Sequence, residues 1–158
     1  LMISATFTSM IIGRYEDMLQ KAVLLAAFIP MLMDTGGNCG SQAATLIIRG
    51  MAVGEIHLQD WWKIVWKELR VGCLVGLMLG ALNFARVSIF ANNGFMVDLC
   101  VTITLFLTVV LAKTMGCILP LFAKFCKWDP ALMASPLITT IVDTFSLLIY
   151  FAVAQMLL

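Results

Sequence analysis

Charge is scarce in this sequence. Only 12% of its 158 residues are Asp, Glu, Lys or Arg, against 62% hydrophobic, and the mean hydropathy is +1.02. Water-soluble domains carry about 25% charged residues, so the outside of a soluble fold could not be covered. The composition is that of an integral membrane protein, and it excludes a secreted disulfide scaffold, a nucleic-acid binder and a disordered regulator. Histidine is nearly missing. His57 is the only one, and it lies in a polar connector where solvation accounts for it. No Ser-His-Asp or Cys-His arrangement is legible and no nucleotide-binding motif occurs, so the chain is not expected to be an enzyme or to bind a nucleotide. Cys39, Cys73, Cys100, Cys117 and Cys126 form no C-x-x-C pair and sit mostly in apolar runs, as buried small hydrophobes do. Alternation of polar and apolar residues is also lacking, which argues against a β-barrel and leaves α-helices as the way to close backbone hydrogen bonds in lipid.

What is present is a series of five apolar blocks, at about 1–13, 18–50, 69–91, 95–123 and 131–158. A span with its connector takes about 25–35 residues, so the expected fold class is all-α: a polytopic membrane protein with five transmembrane helices in one domain, residues 1–158. The first block is half the usual length, lacks a basic leader and ends at Arg14-Tyr15-Glu16-Asp17, so it reads as the second half of a truncated span, not a signal peptide. Between the second and third blocks, Trp61, Trp62 and Trp66 alternate with Lys63, Lys67 and acids, a pattern suited to an interfacial helix at headgroup depth. Arg49, Lys63, Lys67, Arg70, Lys124 and Lys127 fall in the two-to-three and four-to-five connectors, against Arg14, Lys21 and Arg86 in the others. That bias predicts a cytoplasmic N-terminal side and an external C-terminus in a cell inner membrane. Gly72, Gly76 and Gly80 recur every four residues in the third block and mark a packing face, within the protomer or across a dimer.

Three ionisable residues lie well inside apolar blocks: Asp34, Lys113 and Asp143. A charge at mid-bilayer costs about 2.5–3.5 kcal/mol on insertion scales, so each needs a partner, a cavity or an ion. On a helix, Ser135, Thr139, Asp143, Ser146 and Tyr150 project within an arc of about 80°, a narrow polar stripe on an apolar span. It suits either a carboxylate bonded to a neighbouring helix or a site for a hard cation, since Mg²⁺ and Ca²⁺ take oxygen ligands. The run from Asp34 to Leu46 is the most informative. Gly36, Gly37 and Gly40 are poor helix material, and two readings stand: loosened turns offering carbonyls to a cation, or a close helix crossing. Beyond them Asn38, Ser41, Gln42, Thr45 and Arg49 fall on one side, within about 100°. Lys113 either snorkels, pairs with an acid or sits near the interface.

The run Thr35-Gly36-Gly37-Asn38-Cys39-Gly40-Ser41-Gln42-Ala43-Ala44-Thr45, continuing through Arg49-Gly50 to Gly54-Glu55-Ile56, resembles the signature of MgtE-type magnesium channels. So do Asp129-Pro130-Ala131, Ser135-Pro136-Leu137 and Thr140-x-x-Asp143. The resemblance covers essentially the whole chain. It implies a homodimer in the lipid bilayer with a pore on the two-fold axis between second and fifth spans. It further implies that Asp143 of both subunits holds hydrated Mg²⁺, with Gly37, Ser41, Thr45, Ser135, Thr139 and Ser146 lining the filter, and Asp34, Gly36, Asn38, Gln42 and Pro136 lining or supporting the pore. Many relatives carry Asn at positions 41 and 135, Gly at 146, and a small residue at 34. Bacterial relatives also carry cytosolic domains that close the pore, and none is present in this sequence. The expected cargo is Mg²⁺, with Mn²⁺ and other divalents in the same class, moving down its electrochemical gradient. A carrier coupling Mg²⁺ to another ion is the alternative; a membrane enzyme using Asp34 and Asp143, or a non-conducting scaffold, are the remaining readings.

Overall fold

The computed structural model describes residues 2–16, 23–90, 94–133 and 136–158. In chain order the elements are α1 (Met2–Arg14), α2 (Val23–Ala52), a 3-10 turn (Leu58–Asp60) running directly into α3 (Trp61–Phe90), α4 (Phe95–Phe125), a second 3-10 turn (Pro130–Met133) and α5 (Pro136–Leu157). No strand occurs among the described residues, as the expected fold class requires. Three stretches are long and apolar enough to cross a membrane: Leu58–Ile89, Phe95–Phe125 and Pro136–Leu157. The 30 residues of α2 are also long enough, about 45 Å against a hydrocarbon core of about 30 Å.

The central element is α4. It packs against α3 on one side and against α2 and α5 on the other, while α1 leans on α5. Val101, Val109 and Ala112 of α4 meet Leu25 and Leu32 of α2 and Val142, Leu147 and Phe151 of α5 in one buried cluster. Two aromatic contacts fasten the same end of the bundle. The buried Tyr150 hydroxyl donates to the Leu25 carbonyl at 2.9 Å, and Tyr15, just past α1, stacks on Phe151 with ring centroids 4.4 Å apart. Cys39, Cys100 and Cys117 are buried, and all five cysteines are free, as their apolar settings suggested.

The interfacial-helix expectation needs a correction. The tryptophan segment is not a separate element but the opening of α3, because nothing between Trp61 and Phe90 breaks the helix. At 30 residues, α3 outruns the hydrocarbon core by roughly 15 Å. Trp61, Trp62 and Trp66 are exposed on that overhang, and Lys63 donates to Asp60 at 2.8 Å beside them.

The glycine stripe of α3 packs within the protomer. A Cβ at Gly76 would lie 3.0 Å from the Phe106 ring and 3.2 Å from its carbonyl; one at Gly72 would lie 3.2 Å from Lys113 Cβ. The stem of the buried Lys113 therefore fills the α3–α4 interface. At the end of α2, the Glu55 and Ile56 amides both donate to the Gly50 carbonyl, at 2.9 and 3.1 Å, and Gly54 takes φ +79° to turn the chain. Ile56 folds back so closely that a Cβ on Gly50 would be 2.6 Å from its Cδ1.

The tightest crossing is between α2 and α4, where a Cβ on Gly116 would overlap the Gly40 carbonyl. Gly80 is looser, with its nearest neighbour, Thr102, 3.5 Å away. Overpacking costs about 1–3 kcal/mol. Gly116→Ala is therefore expected to lower thermal stability in detergent clearly, and Gly80→Ala to leave it within about 0.5 kcal/mol. Equal stabilities would contradict this account of the packing.

Candidate cation site on the polar face of the second and fifth helices

The glycine-rich run of α2 is helical throughout, so the expectation of loosened turns does not hold and the alternative, a close helix crossing, does. The reason is packing. A Cβ at Gly36 would be 2.8 Å from both Thr108 Cγ2 and Val142 Cγ1, and one at Gly40 would be 2.8 Å from Ile138 Cγ2. The glycines' poor helix propensity is outweighed by letting α4 and α5 approach the α2 backbone. No carbonyl is released, and any cation must be met by side chains.

Those side chains lie on the other side of α2. Asp34, Asn38, Gln42, Thr45 and Arg49 are all exposed, Ser41 is half-buried, and the Thr45 hydroxyl donates back to the Ser41 carbonyl at 2.9 Å. A row of this polarity along a bilayer-length helix cannot face acyl chains. Next to it on α5, Asp143 and Thr139 are half-buried. Met33, Asp34, Gly37, Asn38, Thr139 and Asp143 together line a groove of about 180 Å³.

Gly37 makes the groove possible, because a Cβ there would sit 3.3 Å from Thr139 Cγ2 and 4.0 Å from Asp143 Oδ1. The Thr139 and Thr140 hydroxyls bond back to the carbonyl of Pro136, which opens α5 and is exposed, at 3.2 and 2.7 Å. Their lone pairs remain free for a further donor such as a bound water. Among the described residues, no group donates to or pairs with the Asp143 carboxylate. The arrangement offers two carboxylates, an amide and a hydroxyl to one open groove, an oxygen-rich set of the kind that hard divalent cations take, directly or through their water.

Of the residues expected to line a filter, Gly37, Thr139 and Asp143 come together here, with Ser41 and Thr45 further along the same face of α2. Ser146 does not join them. It is buried under Gly36, 3.4 Å from where a Cβ would stand, and its hydroxyl has no partner. Ser135 lies outside the described residues. Two contributors escaped the sequence reading. Met33 lines the groove, and Gly116 backs α2 although it is the one glycine between residues 95 and 123. A lone glycine inside a long apolar span was the available signal for the second.

Residues 29–153 match the family model described as MgtE, a divalent cation transporter. The chain belongs to the MgtE family. Among curated members it is 38% identical over 158 residues to the magnesium transporter MgtE of Thermus thermophilus, covering all of this chain and 35% of the relative. It is 36% identical over 144 residues to that of Bacillus subtilis, covering 91% and 32%, and 28% identical over 152 residues to that of Enterococcus faecalis, covering 94% and 33%. The chain thus spans about a third of the length of the MgtE relatives it matches. With its apolar helices, membership makes it an integral membrane protein.

A hydrated face and a dry one are distinguishable chemically. In a Cys73→Ser, Cys126→Ser background, Asn38→Cys is expected to react with a small charged thiol reagent at least tenfold faster than Ser146→Cys. Similar rates would mean that the α2 face is not open to water.

Proposed function

We propose that two copies of the chain pair their α2 and α5 polar faces about a two-fold axis and form a channel for hydrated Mg²⁺, with both Asp143 carboxylates at its central site. The observation that carries this reading is the unpaired Asp143 in a groove continuous with the exposed polar row of α2. In a lone protomer that row would face lipid. A second copy turns it inward and leaves water in the space between. The family match and the relatives' names, magnesium transporters, point to the cargo.

Selectivity follows from charge and hydration. Two empty carboxylates facing each other across an axis repel, and a divalent ion relieves that repulsion about twice as well as a monovalent one. Mg²⁺ dehydrates reluctantly and holds its waters octahedrally, so the ion is gripped through its shell. Asn38, Ser41 and Thr139 supply the surrounding oxygen and amide groups, and the gap left by Gly37 sets the room. Inward movement is driven by the membrane potential, about 2.3 kcal/mol per elementary charge per 100 mV, so a divalent ion gains about twice that and needs no ATP. The unbroken course of α2 supports a channel over a carrier, whose midplane sites are typically built from interrupted helices. The N-terminal side is cytoplasmic in this arrangement, following the basic-residue bias.

In liposomes with an inside-negative potential and a Mg²⁺-sensitive dye inside, wild-type protein is expected to admit Mg²⁺ rapidly. Asp143→Ala should lower the rate at least 100-fold while the dimer persists in size-exclusion chromatography, and Asp143→Asn should weaken discrimination of Mg²⁺ against K⁺. Wild-type flux from a dimeric Asp143→Ala protein would sink the assignment.

A further inference from the structure

Asp34 shares the groove with Asp143, is exposed on the protomer, and among the described residues has no hydrogen bond or ion pair. In a membrane span an unpaired carboxylate is costly, and no cation among the described residues pairs with it: Arg86, which reaches α2 beside Met31, donates to Asn83 Oδ1 instead. Arg49 lies on the same face but fifteen residues along α2, about 22 Å away by helical rise.

Its level along the groove follows from helix register. Gly36 abuts Val142 and Ser146, while Gly37 abuts Thr139 and Asp143, so rising numbers on α2 meet falling numbers on α5. Gly37 lies between Thr139 and Asp143, with the Asp143 Oδ1 about level with it, and Asp34 lies three residues nearer the start of α2, about 4.5 Å along the axis. Side chains lean toward the N-terminus of their own helix. On antiparallel helices Asp34 and Asp143 lean apart, and since the level of Asp143 is already that of its oxygen, the lean of Asp34 is what widens the step. In the orientation proposed above, Asp34 is on the outer side.

That step decides between one ion and two. Mg²⁺ holds its waters at about 2.0–2.1 Å, and a carboxylate accepting from such a water adds a hydrogen bond of about 2.7 Å. One hydrated ion standing between the levels is thus within reach of both carboxylates. Two divalent ions a few ångströms apart would repel strongly.

We propose that Asp34 is a specificity-determining residue of this pore: its carboxylate grips the water shell of the incoming divalent cation one turn outside Asp143 and passes the same ion inward, so that a single hydrated ion is shared between two carboxylate levels. This rests on Asp143 being the ion site. Asp34 sets the concentration at which the pore fills and its preference for divalent over monovalent ions, while Asp143 remains the step every ion must pass.

The test is the dependence of liposome Mg²⁺ uptake on external Mg²⁺, with K⁺ as competitor, for wild type, Asp34→Asn, Asp34→Glu and Asp143→Ala. Asp34→Asn is expected to raise the half-saturating Mg²⁺ concentration about tenfold with maximal uptake within twofold of wild type, and to make K⁺ a better competitor. Asp34→Glu, which keeps the charge, should restore half-saturation to within about threefold of wild type, an outcome that a merely structural role would not give. The shift should persist at 0.5 M salt, where the Debye length is only a few ångströms. A shift that vanishes at high salt would reduce Asp34 to long-range attraction and overturn the shared-ion claim, as would unchanged half-saturation in Asp34→Asn. Either result, with uptake still lost in Asp143→Ala, overturns the role of Asp34 alone. Wild-type uptake in Asp143→Ala overturns the ion site beneath it.

Discussion

A carboxylate set in the middle of a membrane helix must have either a donor or water in front of it, and Asp143 has no donor among the described residues of its own chain. Much of the architecture follows from that constraint. The carboxylate has to stand at an open surface, so α5 must be held with one side dry and the other wet. Its dry side, carrying Ile138 and Val142, is sealed against α2 and α4. Its wet side, carrying Thr139 and Asp143, borders the groove.

The same division runs through α2 and explains its unusual composition. One side is glycine and alanine, thin enough for α4 to approach to backbone contact at Gly40 and Gly116. The other is Asp, Asn, Gln, Thr and Arg. A helix with bulky apolar residues on its packed side would stand further from α4 and α5 and move its polar row away from Asp143. Small residues at the back therefore position polar residues at the front. Gly37 lies where the two requirements meet, since it contacts Thr139 and leaves room beside Asp143. The buried hydroxyls of Thr108 and Ser146 have no hydrogen-bond partner among the described residues of that dry layer.

Much of this was legible in the residues. Low charge and missing alternation give helices in a membrane. The cost of Asp143, with Thr139 one turn away, gives a polar stripe on α5, and the spacing of Asn38, Ser41, Gln42 and Thr45 gives a matching row on α2. What could not be read locally was the outcome of competition between helix propensity and packing. Three glycines in five residues argue for a broken helix, and only the approach of Thr108, Val142 and Ile138 shows why it stays whole. Ser146 illustrates a second gap. Periodicity put it on the same arc as Asp143, yet it stands about a turn further along α5, where Gly36 of α2 covers that arc. The tryptophan segment shows a third: its headgroup chemistry was plain, but its continuity with α3 depends on helix length against bilayer thickness.

The central claim is that the two polar faces meet around one divalent ion, and its most direct test is the position of that ion. Crystals of the membrane domain grown with Mn²⁺ and measured at its absorption edge are predicted to show an anomalous peak on the two-fold axis between the paired Asp143 carboxylates, about 4–5 Å from their oxygens, as a water-mediated contact requires. A peak confined to one protomer away from α2 and α5, or a dimer joined through other faces, would contradict the account.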